Sequence, residues 1–208
     1  MEDKELSNDV VDVLAEGVDT ALELAEGIPF IGQALKLAKL YRSVRDMLFV
    51  RQVQNFLREL NKAPQDEREA FIQDLRDRGQ AQRFGETVTL LLAQLDNLDK
   101  STIIGRLYAA AVLGMIEMHE AERVSIMVSR MYIEDRHILE GFKDEAYAED
   151  SDTVPATLAA AGLLQVVQEQ QTGFKIIGNV EHTKYRLSAF GDILVRFGLR
   201  EAEPPSTN

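Results

Sequence analysis

A chain of 208 residues with 45% hydrophobic and 28% charged residues carries enough apolar side chain for a core, which excludes a wholly disordered or fibrous polypeptide. It has no cysteine, which removes disulfides, thiolate metal sites and cysteine nucleophiles together. Its formal net charge of -12 disfavours non-specific contact with nucleic acid, because neutralising phosphates takes clustered Lys and Arg.

The start, Met1-Glu2-Asp3-Lys4-Glu5, is the opposite of a signal peptide's basic opening. The early apolar run from Gly27 to Leu35 is far shorter than the ~20 residues a membrane-spanning helix needs. Together they predict a cytoplasmic protein without a single-span anchor. Residues 5–26 place Leu6, Val10, Val13, Leu14, Val18, Leu22 and Ala25 at helical spacing with acids between them. Gly27 and Pro29 punctuate the chain, and a second helix is predicted over 30–60 from Leu37, Leu40, Tyr41, Val44, Leu48, Val53, Phe56, Leu57 and Leu60. The charge is divided between these two helices. Residues 1–26 hold nine acids against one Lys, and residues 33–62 hold seven Lys or Arg against two acids.

Asn61-Lys62-Ala63-Pro64 stops the basic helix, and Pro64 suits the first turn of the next, where Asp66, Glu67 and Glu69 complement the helix dipole. That helix, with Phe71, Ile72 and Leu75 inward, is predicted to end at Gly79. Further helices are expected over about 81–96, 99–114, 119–133 and 135–147. Leu90, Leu91, Leu92 and Leu95, then Ile103, Ile104, Leu107 and Val112, read as buried faces. The acidic stretch 148–152 reads as a linker. After it come a helix from Thr153 to Leu164, short strands over Val166–Glu169 and His182–Leu187, and a last helix capped by Ser188. Helix, hairpin, helix in this order resembles the end of a winged-helix domain. Residues 200–208 have nothing to bury and are expected to be a disordered tail. The fold class is therefore mainly α: a helical bundle over 1–147, then a small winged-helix-like α+β module over 151–199.

No catalytic motif appears. His119-Glu120-Ala121-Glu122-Arg123 begins like a zinc-protease helix, but the second imidazole, needed four residues on, is replaced by Arg123. A capping or surface histidine is the simpler reading. His137 and His182 lie far off, and neither a phosphate-binding Gly-rich loop nor a Gly-x-Ser-x-Gly elbow is present. No enzyme activity, cofactor or metal is expected, although motif-free carboxylate chemistry stays open because acids are abundant. As a DNA reader the winged-helix-like module is poorly equipped. Its helix 154–164 has no Lys or Arg, residues 134–152 carry eight acids against two basic residues, and only Lys175, Lys184 and Arg186 sit on the hairpin.

The basic helix is the candidate surface. Phe30, Ile31, Lys36, Lys39, Arg42, Arg45 and Arg51 could face a protein partner or an anionic membrane, apolar side down and cations on acidic groups. The simpler reading makes it a central bundle element with the acidic helix 5–26 folded back on it, as its wide apolar face and the complementary charge suggest.

The runs IPFIGQALKLAKLYRSVRDMLFVRQVQNFLREL, FGETVTLLLAQLDNLDKSTIIGRLYAA and YRLSAFGDILVRFGL resemble, in the same order over most of 27–199, a group of small uncharacterised bacterial helical proteins with a C-terminal winged-helix-like segment. The resemblance implies a bacterial source, a shared helical scaffold and a conditional role, stress- or phage-defence-related; it brings no site residues. The function expected is a non-enzymatic protein-interaction or regulatory protein, working through a protein partner or self-association. Two alternatives are a membrane effector acting through helix 27–60 from the periphery of the inner membrane, and a winged-helix transcription regulator.

Overall fold

Val50, Val53, Phe56, Leu57 and Leu60 recur at three- and four-residue steps and close one face of α1 (Val44–Leu60). A computed structural model describes this helix within residues 16–22, 31–32, 44–142, 153–167 and 183–200. Residues 16–22 and 31–32 are helical, and Val18, Ala21 and Ile31 are buried. The remainder of the predicted helices 5–26 and 30–60 lies outside the described residues, with Leu37, Leu40 and Tyr41. So do residues 143–152, residues 168–182 with Lys175 and His182, and residues 201–208.

Pro64 caps α2 (Gln65–Asp77) with φ -52, and Asp66 and Glu67 occupy the first turn, where the dipole favours acids. The helix ends on Gly79, whose φ of +66 is cheap only without a Cβ. Gly79 N–H reaches Arg76 O at 2.9 Å and Gln80 N–H reaches Leu75 O at 2.8 Å, a Schellman closure. Helix α3 (Ala81–Ala93) buries Phe84, Val88, Leu91 and Leu92. Leu90 does not join them: it is 62% exposed, contrary to the inward face expected for it. At about 100° per residue, Leu90 and Leu92 point some 160° apart, so adjacent leucines cannot all face one core.

Helix α4 (Leu98–Val112) is the centre. Asn97 Oδ1 accepts from Asp99 N–H at 2.7 Å to start it, and Ile103, Ile104, Leu107, Tyr108, Ala110 and Val112 are all buried. Such all-round burial requires neighbours on several sides: α1 on one, α5 (Met118–Arg130) on another, and the end of the chain on a third. Glu120 accepts from Glu117 N–H at 2.9 Å at the start of α5, leaving His119 exposed as a surface histidine. A short 3-10 turn (Ile133–Asp135) leads to α6 (Arg136–Gly141).

The later helix spans Thr153–Ala160 (α7) rather than reaching Leu164, because Gly162 (φ +89) turns the chain and β1 starts at once, Leu164–Val167. Strand β2 (Lys184–Leu187) pairs with it antiparallel, Leu164 opposite Leu187 and Val167 opposite Lys184. Ser188 joins the pieces. Its Oγ donates to Gly162 O at 2.7 Å and accepts from Gly191 N–H at 3.0 Å, so one hydroxyl ties the α7 turn to the start of α8 (Ala189–Ile193). A π-helical turn, Leu194–Gly198, extends α8 along α4, where a Cβ on Gly198 would lie 3.0 Å from Ile103. The Arg123 guanidinium lies 5.4 Å from the Phe190 ring centre, binding α5 to α8. Buried apolar residues from Val18 to Val195 form one continuous cluster. No helix of the described residues is long and apolar enough to cross a membrane.

Four rings run edge-to-face through this core: Phe71 to Phe84 at 5.5 Å, Phe84 to Tyr108 at 5.7 Å and Tyr108 to Phe56 at 5.5 Å. The Tyr108 hydroxyl is buried without a hydrogen-bond partner. Burial pushes its pKa well above the ordinary tyrosine value of 10.0, and the Glu122 carboxylate adds to the rise. The unfolded chain therefore ionises first, so stability from this group is full below pH 10.0 and falls as pH climbs past it. Tyr108→Phe keeps the ring contacts and should match or exceed the wild type by about 1 kcal/mol near neutrality. Its advantage in urea midpoint should widen above pH 10.0. A clear loss at neutral pH would mean that the hydroxyl is bonded.

Candidate interaction surface

Of the seven residues singled out on the basic segment, Phe30, Lys36, Lys39 and Arg42 lie outside the described residues. Ile31 is only 1% exposed and belongs to the core, so its expected surface role is corrected. An isoleucine that close to the Val18 and Ala21 cluster is worth more buried than wet. Arg45 and Arg51 are exposed on α1.

Helix α1 has two faces. Opposite its buried stripe lie exposed Val44, Leu48, Arg51 and Arg58, with half-buried Asn55 in the same row reaching Leu98 O at 3.5 Å. Val44 is 56% exposed and Leu48 42%. The apolar periodicity of the sequence included both, but their angular position puts them on the solvent side, about 140–180° from Val53. Neither Arg45 nor Arg51 has an ion-pair partner among the described residues, and Arg58 Nη1 reaches only Asn55 Oδ1, at 3.2 Å. Three other exposed arginines are matched, Arg78 with Asp74 at 2.8 Å, Arg136 with Asp99 at 2.8 Å and Arg196 with Asp192 at 2.9 Å, whereas Arg83, Arg130 and Arg186 share the unpaired state of Arg45 and Arg51 among the described residues. Beside the stripe runs an open groove of about 260 Å³, walled by Glu16, Gly17 and Thr20 on one side and Met47, Val50, Arg51 and Gln54 on the other. Gln54 Nε2 donates to Gly17 O at 2.8 Å, stapling helical residues 16–22 to α1.

A second cleft, of about 330 Å³, lies among α4, α6 and Leu199, with Asp99, Thr102, Arg106, Arg136, His137 and Glu140 on its walls. Its charges hold the fold together. Arg136 is taken by Asp99, and Arg106 Nε donates to buried Glu59 Oε2 at 3.1 Å while its Nη1 faces the carbonyls of Leu199 at 3.3 Å and Gly198 at 3.5 Å. His137 Nδ1 is engaged with the Glu134 carbonyl. The hydroxyls of Thr20, Ser101, Ser129, Thr157 and Ser188 donate to backbone carbonyls, not to an imidazole or carboxylate that could activate them. Among the described residues no group of three or more acidic or histidine side chains could hold a metal ion.

Arg106 thus joins α1, α4 and the π-helical turn that closes at Gly198 and Leu199. Arg106→Ala should cost about 2 kcal/mol, less than a fully stranded buried carboxylate, because Lys62 still pairs with Glu59 at 2.9 Å. A denaturation midpoint equal to wild type would show the tie to be idle.

Compared with protein-family models, curated proteins and solved structures, the chain matches none. The geometry of α1 is therefore the basis for a functional reading.

Proposed function

We propose that this protein acts by binding another polypeptide, not by catalysis, and that the outward stripe of α1 is where it binds. One observation carries the reading: a chain of net charge -12 displays exposed Val44 and Leu48 beside Arg45 and Arg51, whose charges nothing described neutralises. Exposed apolar side chains rimmed by charge fit a protein contact, in which arginine is among the side chains that gain most on burial. The membrane reading draws on the same residues and is weaker. Two half-exposed aliphatic side chains offer little area to insert, and stable anchoring to a bilayer usually takes two signals.

In this proposal the C-terminal segment α7–β1–β2–α8 is winged-helix-like and structural. Support comes from its element order and from Ser188 holding the α7 turn against α8. A DNA-reading role finds no support in α7, whose residues Thr-Val-Pro-Ala-Thr-Leu-Ala-Ala include no cation.

The test is the size of the native assembly. In extracts of cells that naturally express it, the 23.4 kDa chain should elute in a larger complex, and Leu48→Asp should return it to the monomer position. Leu48 is exposed enough for this variant to fold with an unchanged thermal midpoint. Identical elution of the two folded proteins would sink the proposal.

A further inference from the structure

We infer that the stripe on α1 seats an acidic amphipathic helix of a partner protein. This rests on the reading of α1 as a docking surface and names the chemistry of what docks. The four- and three-residue steps from Val44 to Arg58 keep these side chains on one face of α1, along which a second helix can lie as residues 16–22 do on the neighbouring flank. The 17 residues of α1 make the seat about 25 Å long, enough for four or five turns of a second helix.

The seam changes character along its length, and the change specifies the partner. Val44 and Leu48 require apolar side chains opposite them, whereas Arg51 and Arg58 require carboxylates. Asn55, between the arginines, is half-buried and turned toward α4, donating to Leu98 O at 3.5 Å and accepting from Arg58 at 3.2 Å, so the open contacts are Val44, Leu48, Arg51 and Arg58. The neighbouring flank of α1 already accepts a helical turn of this kind. Residues 16–22 pack there through Val18 and Ala21, with Glu16 on the groove wall across from Arg51. With a net charge of -12 the protein as a whole repels a polyanion, but screening confines that repulsion to about 8 Å in physiological salt. A short acidic helix meets the local cations; an extended anionic bilayer or duplex meets the whole acidic surface.

The experiment uses the purified full chain and two labelled peptides of about three heptads, both with Leu at the seam positions, one with Glu and one with Lys at the flanking positions. Fluorescence anisotropy should show saturable binding of the Glu peptide alone. Leu48→Asp and Arg51→Glu should each weaken it at least about tenfold, and Arg51→Glu should gain affinity for the Lys peptide. Equal binding of both peptides, or no saturable binding, would overturn the inference. So would flotation of the chain with phosphatidylglycerol vesicles that Leu48→Asp abolishes, which would assign the stripe to a lipid surface. If Leu48→Asp dissolves the native assembly and the Glu peptide does not bind, the acidic-helix assignment falls and the docking surface stands. If the assembly is unchanged by Leu48→Asp and the peptide does not bind, both fall.

Discussion

Gly191→Ala should cost about 3 kcal/mol or more and release the C-terminal segment before the rest of the fold. A Cβ at this position would lie 2.1 Å from Leu163 O and 3.1 Å from Leu187 Cδ2. The obstacle is backbone, so no rotamer change relieves it. Leu163 O also accepts from Ser188 N–H at 3.0 Å, and moving that carbonyl strands the donor that begins α8. Amide exchange separates the possible results. The account expects β1, β2 and α8 to lose protection at lower denaturant than α1 and α4, and a single transition at the wild-type midpoint would contradict it.

The second large effect lies where α1 is mounted. A Cβ on Gly105 would meet Phe56 O at 2.6 Å, Glu59 Cβ at 2.8 Å and Phe56 Cα at 3.1 Å, so α1 and α4 touch backbone to backbone. In an isolated helix, glycine to alanine gains about 1 kcal/mol. Here the two helices must separate along a contact that buries Phe56, Leu57 and Leu60, and a net loss of about 2 kcal/mol is expected. The same displacement disturbs the Glu59–Arg106 pair, so Gly105→Ala and Arg106→Ala should be non-additive. Urea midpoints of the two single variants and the double variant measure this. A stabilised Gly105→Ala would mean that α1 is free to shift, and hence a poor platform for docking.

Local chemistry was the readable part of this fold. Pro64, Gly79 and Ser188 mark turns and caps for reasons confined to a few neighbouring residues, and each occurs where its chemistry predicts. The face of α4 was readable because a helix buried nearly all round leaves little to misassign. Leu90 was not, since consecutive leucines carry no angular signal of their own. Val44 and Leu48 illustrate the same limit at the candidate site. They share three- and four-residue spacing with Val53, Phe56 and Leu57, but the register drifts to the opposite face between Leu48 and Val53, five residues on. Which of the two faces is wet depends on where Gly105 allows α4 to come close, and that is a relation across 49 residues of chain. Arg106 with Glu59, and Tyr108 between Phe56 and Phe84, are likewise long-range pairings that periodicity does not encode.

The central claim is that α1 presents a helical seam to a partner, and a photo-crosslinking scan tests it most directly. A benzophenone side chain would be placed at each exposed or half-exposed position from 44 to 58, and at Leu90 and Val166 as exposed apolar controls. Adduct yield should rise and fall along the helix, peaking at 44, 48, 51 and 58, the exposed positions of the outward row. A flat profile along α1, or yields at positions 90 or 166 equal to those at 44 and 48, would contradict it.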